Sequence, residues 1–174
     1  MPKLSAGILL FKISKSDVME VLLVHPGGPF WAKKDDGAWS VPKGEYTEGD
    51  NAYDAAVREF REELGSEVPS GSRFDLGELK QPSGKRIHAW AVEGDLDAST
   101  IVSNSFEMEW PPKSGKTSEF PEVDRAAWVN IAVARRKLHK GQAEFLTHLM
   151  DALRRDGRSD ISEGVDEDAL PLPN

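Results

Sequence analysis

The chain has 174 residues, of which 22 are Lys or Arg and 30 are Asp or Glu, so its formal net charge is −8. This acidic balance argues against general binding to DNA, RNA or anionic membranes, because those surfaces attract proteins with an excess of Lys and Arg. The chain has no cysteine, which excludes disulfides, thiolate zinc sites, iron–sulfur clusters and a cysteine nucleophile.

The predicted elements are mostly short strands, interrupted by three helices. Residues 26–37 and 103–121 are rich in Gly, Pro and charged residues and are predicted to be irregular. The apolar runs are much shorter than the roughly 20 residues that a membrane-spanning helix needs, so we expect a cytoplasmic protein. The pattern indicates an α+β fold built on a mixed sheet. Strands are predicted at residues 4–12, 19–25, 38–41, 73–80, 85–93 and 124–131, and helices at 51–64, 132–140 and 142–155.

The negative charge is concentrated in two segments. Residues 44–67 contain eight acidic and two basic residues, and residues 156–174 contain six acidic residues and one basic residue. The second segment is interrupted by Gly, Ser and Pro, a composition typical of a solvated tail. We therefore predict one domain over residues 1–156 and an acidic, proline-ended tail over 157–174 that is dispensable for catalysis.

The helix predicted at 51–64 has well-defined ends and one apolar face. Asp50 is expected to cap its N-terminus, where a carboxylate meets the positive end of the helix dipole. Gly65 follows the last apolar residue, at the position where a left-handed residue ends many helices. The buried face is formed by Tyr53, Val57, Phe60 and Leu64, which recur at helical spacing.

The other face of this helix carries three glutamates. Glu59, Glu62 and Glu63 spread over about 100° of the helix surface, so their carboxylates are able to converge. Like charges at this spacing destabilise a helix by roughly 0.2–0.5 kcal/mol per pair. No lysine stands four residues after any of them to offset this repulsion. Either the face is simply solvated, or a cation occupies it.

The residues around this helix resemble the Nudix box, G-x5-E-x7-R-E-U-x-E-E-x-G-U, in which U is a bulky apolar residue. The pattern departs from the box twice, since Asp50 replaces the usual Glu and Ser66 stands where an apolar residue is expected. By this motif the chain is identified as a member of the Nudix hydrolase family. The matching run, within residues 44–66, is Gly44-x5-Asp50-x7-Arg58-Glu59-Phe60-x-Glu62-Glu63-x-Gly65.

The resemblance implies a three-layer α/β/α sandwich with a mixed β-sheet flanked by helices. It also implies a metal-dependent hydrolase that cleaves a phosphoanhydride bond in a nucleoside diphosphate-linked substrate by attack of water on phosphorus. The expected cofactor is Mg²⁺ or Mn²⁺, because oxygen ligands suit hard divalent cations. The expected partner is a small nucleotide, and the open choices are dinucleoside polyphosphates, nucleoside triphosphates (oxidised ones included) and nucleotide sugars.

The resemblance also assigns roles to residues of the box. Glu62 and Glu63 are expected to bind the metal, and Glu59 to bind the metal or to act as the general base. Arg58 is expected to orient carboxylates, including Glu59 and Asp50. Lys43, at the turn before the first glycine of the box, is expected to offer a backbone carbonyl to a metal.

Other candidates lie outside the box. Family members often place a further acidic ligand or base in the loop before the last strand. By this resemblance Glu122 is the candidate, with Glu119 as its rival, and the alternative is that Glu122 is an ordinary loop residue. Trp31, Lys33 and Lys34 precede the box in a loop and are candidates for substrate binding, because an aromatic ring stacks on a base and lysines reach phosphates. Another set of cations either holds a phosphate chain or forms an ordinary charged surface: Lys113, Lys116, Arg135, Arg136, Lys137 and Lys140.

The alternative to an enzyme is a Nudix-like module that binds a nucleotide and acts as a regulator or scaffold without turnover. Modules of this kind usually lose one or more glutamates of the box. Here Glu59, Glu62 and Glu63 are all present, which favours the enzyme.

Overall fold

The computed structural model describes residues 3–169, in which a six-stranded mixed sheet lies between helices on both faces. Strands β6 and β7 form a separate two-stranded sheet. No helix within these residues has both the length and the apolar character needed to cross a membrane. In chain order the elements are β1 (Leu4–Ile13), β2 (Met19–Pro26), β3 (Lys43–Tyr46), α1 (Ala52–Leu64), β4 (Arg73–Lys80), β5 (Arg86–Glu93), β6 (Ser105–Glu109), β7 (Thr117–Pro121), β8 (Val123–Asn130), α2 (Ile131–Lys137) and α3 (Glu144–Arg155).

The strand order is β4-β5-β1-β2-β8, and β3 pairs with β1. Only β1 and β5 are parallel; the other pairs within the described sheet are antiparallel. Leu4 lies opposite both Arg86 and Tyr46, and Pro26 lies opposite Val123. The starts of β1, β5 and β8, the end of β2, and β3 itself therefore meet at one end of the sheet, which we call the β3 end.

Two apolar layers cover the two faces of the sheet. They arise because successive side chains of a strand point to opposite faces, so that β1 supplies both layers. The layer under α1 includes Ile8, Leu10, Phe60 and Leu64, and the layer under α2 and α3 includes Leu9, Phe11, Phe145, Leu149 and Leu153. This arrangement confirms the predicted α+β sandwich with a mixed sheet flanked by helices.

The short strand predicted at residues 38–41 is wrong. Trp39 and Ser40 form only isolated bridges, to Leu138 and Val24 respectively. Pro42 has no backbone N–H to donate, although its carbonyl accepts one from β1. The strand observed here, β3, therefore begins directly after Pro42, at Lys43. It contains Gly44, which the sequence predicted to lie in a turn.

Residues 103–121 are also more ordered than predicted. They contain the hairpin of β6 and β7, in which Phe106 lies opposite Phe120 with ring centroids 6.1 Å apart. Pro111, Pro112 and Gly115 of this segment lie in the connection between the two strands, and Pro121 is the last residue of β7. The alternation Ser-Phe-Glu-Met-Glu in β6 was the available signal, since strands carry this period of two.

The acidic C-terminal segment, predicted to be a solvated tail, lies along the domain surface over residues 158–169. The backbone N–H of Ser162 donates to the carbonyl of Asp17 in the β1–β2 turn at 2.8 Å. Arg158 forms an ion pair with Glu93 at 2.7 Å, and both side chains are about one-third exposed. The segment is therefore attached at several points, although the division of the chain at residue 156 stays a prediction.

Arg136 of α2 connects this segment to the loop that follows β2. Its guanidinium contacts Asp166 at 2.7 Å and also pairs with Asp168 and with Asp36 of that loop. Several of the acids that the sequence assigned to a free tail are thus neutralised by basic residues of the domain. The Leu-Pro ending of the predicted tail lies outside the described residues.

Truncation after Asp156 removes all of these contacts. Since partly exposed ion pairs and surface hydrogen bonds each contribute on the order of 0.5–1 kcal/mol, we expect the melting temperature to fall by several degrees. We expect kcat to be retained, because none of the lost contacts involves a glutamate of the box. Thermal unfolding and steady-state kinetics check both expectations. A chain that ends at Ala169 is the matched control, and an unchanged melting temperature after truncation at Asp156 would contradict the packing role.

Candidate active site

The helix α1 begins one residue later than predicted. Its N-cap is Asn51, whose side-chain oxygen accepts a hydrogen bond from the backbone N–H of Asp54 at 3.0 Å. Asp50 instead accepts from the hydroxyl of Thr47 at 2.6 Å, which lowers the pKa of its carboxyl. The predicted cap at Asp50 is therefore wrong, because an amide at the next position satisfies the free N–H groups of the first turn.

The C-terminal end of α1 is as predicted. Gly65 adopts a left-handed conformation with φ = 70°, and its N–H donates to the carbonyl of Arg61. The backbone of Val102 lies so close that a side-chain carbon on this glycine would be 2.6 Å from the Val102 carbonyl oxygen. A glycine is thus needed both for the backbone conformation and for the packing of the next segment.

Glu59 points from α1 onto the backbone of β3. A side-chain carbon placed on Gly44 would lie 2.0 Å from the Glu59 carboxylate, so only a glycine fits beneath it. The Glu59 side chain is 13% exposed and accepts a hydrogen bond from Arg58 at 3.3 Å. Burial and the neighbouring Glu62 raise the pKa of Glu59 above its ordinary value. The first glycine of the box therefore makes room for a carboxylate.

Arg58 orients Glu59 as predicted but does not reach Asp50 through a hydrogen bond. Its second partner is the backbone carbonyl of Glu45, at 3.3 Å. The guanidinium thus connects α1 to β3 on the outer side of the Glu59 carboxylate.

Glu63 occupies the most buried position of the three glutamates. Its carboxylate accepts a hydrogen bond from the backbone N–H of Lys43 at 3.2 Å. Burial is the main reason why the pKa of Glu63 rises to about 8, and repulsion from Glu59 adds to it. Burial also lowers the pKa of the Lys43 side chain, an effect that the nearby Lys85 increases. The site thus holds a carboxyl group that is costly to ionise without a cation beside it.

Glu122, between β7 and β8, is a further acidic residue near the glutamates of the box. Burial raises the pKa of its carboxyl, and repulsion from Glu59 and Glu62 raises it further. Both residues are exposed, but the rival Glu119 lies within the β6–β7 hairpin, opposite Glu107. The geometry therefore places Glu122, and not Glu119, with the glutamates of the box.

Backbone hydrogen bonds hold these elements together. The N–H of Asn104 donates to the carbonyl of Glu62 at 2.8 Å, and the carbonyl of Asn104 accepts from the N–H of Glu122 at 2.8 Å. The carbonyl of Glu122 in turn accepts from the N–H of Gly27 at 2.9 Å, at the end of β2. This relay connects the last turn of α1, the loop before β8 and the end of β2.

The donor set suits a hard divalent cation, because Glu59, Glu62, Glu63 and Glu122 offer only oxygen. Within residues 3–169 no three Asp, Glu or His side chains already stand in metal-binding geometry. Glu59 and Glu63 each accept one hydrogen bond from a protein donor, and a carboxylate has about four lone-pair sites. The residues present therefore have the chemistry and the free acceptor capacity to hold such a cation.

A family model described as the NUDIX domain matches residues 1–149. The chain belongs to the NUDIX domain family. This result confirms the family, the fold class and the Nudix hydrolase class predicted from the box. Nudix hydrolases in general use divalent metal ions.

Solved Nudix structures share the fold at low sequence identity. The Ap4A hydrolase of C. elegans, in a binary complex, is 17% identical with a TM-score of 0.58, over 87% of this chain and 98% of that one. The NUDIX domain of Shewanella oneidensis NrtR, complexed with ADP ribose, is 15% identical with a TM-score of 0.60, over 88% and 89%. A MutT/nudix family protein of Enterococcus faecalis is 17% identical with a TM-score of 0.51, over 74% of this chain but only 43% of its own length.

In this Nudix chain the loop after β2 carries the predicted substrate-binding residues Trp31, Lys33 and Lys34. Trp31 is partly buried and helps to line an apolar pocket of about 200 Å³, whereas Lys33 and Lys34 are exposed. The Lys34 ammonium lies 4.9 Å from the centre of the Trp31 ring. The remaining walls of this aromatic pocket are Gly27, Gly28, Pro29, Phe30, Phe106 and Met108.

His25 anchors that loop, a role that the sequence did not reveal. Its ring is fully buried, with Nδ1 2.9 Å from Asp124 and Nε2 2.7 Å from the carbonyl of Lys34. It also contacts the edge of Trp39, with ring centroids 5.2 Å apart. A histidine at the end of an apolar strand was the only available signal, and it does not distinguish an anchor from a surface residue.

The cations suggested for a phosphate chain are partly used elsewhere. Arg135 pairs with Glu163 at 2.8 Å, and Lys137 pairs with Asp35 at 2.8 Å. Sequence reasoning missed a different set, which lines a groove at the β3 end of the sheet. Three members, Lys80, Lys85 and Arg86, come from the β4–β5 hairpin, and pairing of β1 with β5 brings the distant Lys3 beside them.

The raised pKa of Glu63 predicts that Glu63→Gln stabilises the metal-free protein, by an amount that increases with pH. The folded state holds the proton of Glu63 more tightly than the unfolded state does, so the stability from this group is full below pH 4.5 and is lost as the pH rises towards 8. Glutamine does not ionise and avoids this loss. We expect the variant to melt at nearly the parental temperature at pH 5 and above it at pH 8, both in chelator.

The control for this experiment is Glu119→Gln, which removes an exposed carboxylate. Its melting temperature, measured relative to the parent, is expected to change little between the two pH values. If Glu63→Gln behaves like this control, burial does not make the Glu63 carboxylate costly to ionise.

Proposed function

We propose that this Nudix hydrolase cleaves a phosphoanhydride bond in a nucleoside diphosphate-linked substrate by attack of water on phosphorus. The observation that carries the proposal is the convergence of Glu59, Glu62, Glu63 and Glu122. Burial and mutual repulsion raise the pKa of three of them, Glu59, Glu63 and Glu122. Carboxylates that repel one another favour the binding of divalent cations. Such cations would in turn attract the negative charge of a diphosphate.

Glu59, Glu62 and Glu63 are the proposed ligands of Mg²⁺ or Mn²⁺, with the backbone carbonyl of Lys43 as a further oxygen. When bound, such cations neutralise the diphosphate and lower the pKa of a coordinated water. Hydrogen bonds support this ligand set, since Lys43 N–H orients Glu63 and Arg58 orients Glu59. Both donors leave the remaining carboxylate lone pairs available.

The general base is proposed to be Glu59 or Glu122. Each has a carboxyl pKa raised by burial and by neighbouring carboxylates, and a base with a raised pKa accepts a proton more effectively near neutral pH. Arg58 touches Glu59 directly and is proposed to hold it in position for either role.

The aromatic pocket around Trp31 is the proposed site for the organic part of the substrate. Gly27, in its wall, donates its N–H to the carbonyl of Glu122, so the pocket adjoins the carboxylate cluster. A planar base fits between aromatic side chains, and the exposed Lys33 and Lys34 of the same loop are proposed to contact a phosphate. Residues of the β6–β7 hairpin complete the pocket, which makes this hairpin a determinant of substrate choice.

The reaction is tested first with Glu63→Gln in the presence of Mg²⁺. Losing one well-placed electrostatic group costs about 10²- to 10³-fold in kcat in other enzymes, and we expect a loss of that size here. The substrate panel contains a dinucleoside polyphosphate, ADP ribose and a nucleoside triphosphate, because solved Nudix neighbours include an Ap4A hydrolase and an ADP ribose complex. Product identification shows which bond is cleaved.

Excess chelator is expected to abolish turnover by the parent protein, and added Mg²⁺ or Mn²⁺ to restore it. Turnover that persists in chelator would contradict the metal assignment. The alternative, a nucleotide-binding module without turnover, predicts nucleotide binding by the parent and by Glu63→Gln with no product from either. A cytoplasmic location remains a prediction of the sequence alone.

A comparison of Glu122→Gln with Glu119→Gln tests the position of the fourth carboxylate. We expect Glu122→Gln to lower kcat by at least about tenfold, because a positioned acid–base group contributes typically 10²- to 10⁴-fold and a metal ligand a similar amount. Glu119→Gln is expected to retain parental kcat, since Glu119 lies in the hairpin opposite Glu107 and outside the relay that holds Glu122 beside α1. Equal activity of the two variants would remove Glu122 from the site.

A further inference from the structure

A groove of about 700 Å³ crosses the β3 end of the sheet. Its charged lining consists of Lys3, Lys80, Lys85 and Arg86 together with one carboxylate, Glu45. Such an excess of positive charge is unusual in a chain whose net charge is −8. A concave surface lined by one sign of charge raises the local concentration of ions of the opposite sign.

The one carboxylate does not neutralise this groove. Lys3 Nζ and Lys85 Nζ both lie 3.8 Å from the same Glu45 oxygen, so two cations share a single anion. Arg86 has a partner in Glu78 at 3.5 Å, whereas Lys80 has no ion-pair partner within residues 3–169. The groove therefore retains positive charge that is available to a ligand.

The groove is connected to the carboxylate cluster through Lys43. Ser83 and Lys85 line both the groove and a second pocket, of about 360 Å³, whose wall includes Lys43. The backbone N–H of Lys43 donates to Glu63 at 3.2 Å. Lys43 therefore lies between Glu63 and a pocket that shares two residues with the cationic groove.

Strand order places the groove and the aromatic pocket on opposite sides of the proposed metal site. The groove lies at the ends of β4, β5 and β1, the carboxylates lie at β3 and α1, and the aromatic pocket lies at the end of β2 beside β8. A substrate that spans the site has its organic ring towards β2 and β8 and its anionic part towards β4 and β5.

We propose that the groove binds phosphate groups of the substrate beyond the diphosphate that is cleaved. The preferred substrate is then a nucleotide with an extended phosphate chain, not a nucleotide sugar, whose second half is uncharged. This inference rests on the proposed function, because it takes the carboxylate cluster as the place where the bond breaks.

The first test measures binding without turnover. Inorganic tripolyphosphate is titrated calorimetrically into the full chain in chelator, with the double variant Lys80→Met and Lys85→Met as the comparison. Methionine keeps most of the length of lysine and removes its charge. We expect the dissociation constant to rise about 3- to 10-fold for the loss of two partly exposed charges, and to rise in the parent when salt is raised from 50 to 500 mM.

The matched control is Lys15→Met, in the β1–β2 turn at the opposite end of the sheet. It removes the same charge from an exposed position and is expected to bind tripolyphosphate like the parent. Lys80→Met alone is measured beside this control. If Lys15→Met weakens binding as much as Lys80→Met does, only the net charge matters and the proposal is overturned. Melting temperatures confirm that the variants are folded, and Lys80→Met alone replaces the double variant if that protein is unstable.

The second test compares two substrates under Mg²⁺, a dinucleoside tetraphosphate and a nucleoside diphosphate sugar. We expect the ratio of kcat/KM for the first over the second to fall about 3- to 10-fold in the double variant, through a higher KM for the tetraphosphate. An unchanged ratio overturns the groove as a subsite. If neither substrate is hydrolysed but tripolyphosphate still binds through Lys80 and Lys85, the proposed reaction fails and the phosphate site stands.

Discussion

Repulsion among carboxylates is the constraint on which the rest of the structure depends. Glu59, Glu62, Glu63 and Glu122 are held near one another, and burial together with neighbouring carboxylates raises the pKa of Glu59, Glu63 and Glu122. Such a cluster persists only if the surrounding structure is stable enough to oppose it. The buried stripe of α1 and the backbone relay from Glu62 through Asn104 and Glu122 to Gly27 provide that stability. Ionising the whole cluster is therefore costly, and a cation bound among the carboxylates would lower that cost.

The end of the sheet at β3 determines how this cluster is presented to a substrate. One parallel pair and four antiparallel pairs bring all six strands of the sheet together at the β3 end. The carboxylates lie in the middle of the β3 end, with the cationic groove on one side and the aromatic pocket on the other. The proposed substrate has the same order of chemistry, from a phosphate chain through the reacting diphosphate to an organic ring. Complementarity of this kind gives specificity because each part of the ligand meets its own type of surface.

The loop after β2 and the C-terminal segment are connected through α2. Arg136 pairs with Asp36 of the loop and with Asp166 of the segment, and Lys137 pairs with Asp35. His25 holds the same loop from inside through its bond to the carbonyl of Lys34. These contacts surround Trp31 without touching the carboxylate cluster. They give the acidic C-terminal segment a structural role, whose effect on stability is separable from the chemistry of the glutamates.

Patterns within a short stretch of sequence were enough to predict α1, the three glutamates on one of its faces, and the family of the chain. The apolar stripe of α1, its left-handed glycine cap and three glutamates on one face all depend on spacing within a few turns, so each was readable from residues 44–66. The β4–β5 hairpin and the two C-terminal helices followed from the same kind of local pattern. The N-cap shifted from Asp50 to Asn51 because two adjacent residues both suit that position. The β6–β7 hairpin was missed because Gly and Pro in its connection obscured the alternation of its strands.

Tertiary structure alone decided which distant residues share the site. Nothing local separates Glu122 from Glu119. The backbone hydrogen bonds through Asn104 and Gly27 do so, because they hold the backbone of Glu122 near the last turn of α1. The cationic groove depends on pairing between strands that are about 80 residues apart in the sequence, since Leu4 at the start of β1 lies opposite Arg86. Burial of His25 and of Glu63 likewise depends on what packs over them. Spacing along the sequence predicts which side chains lie on one face of a helix. Which chain segments meet at the end of the sheet depends on how the strands pair in the folded protein.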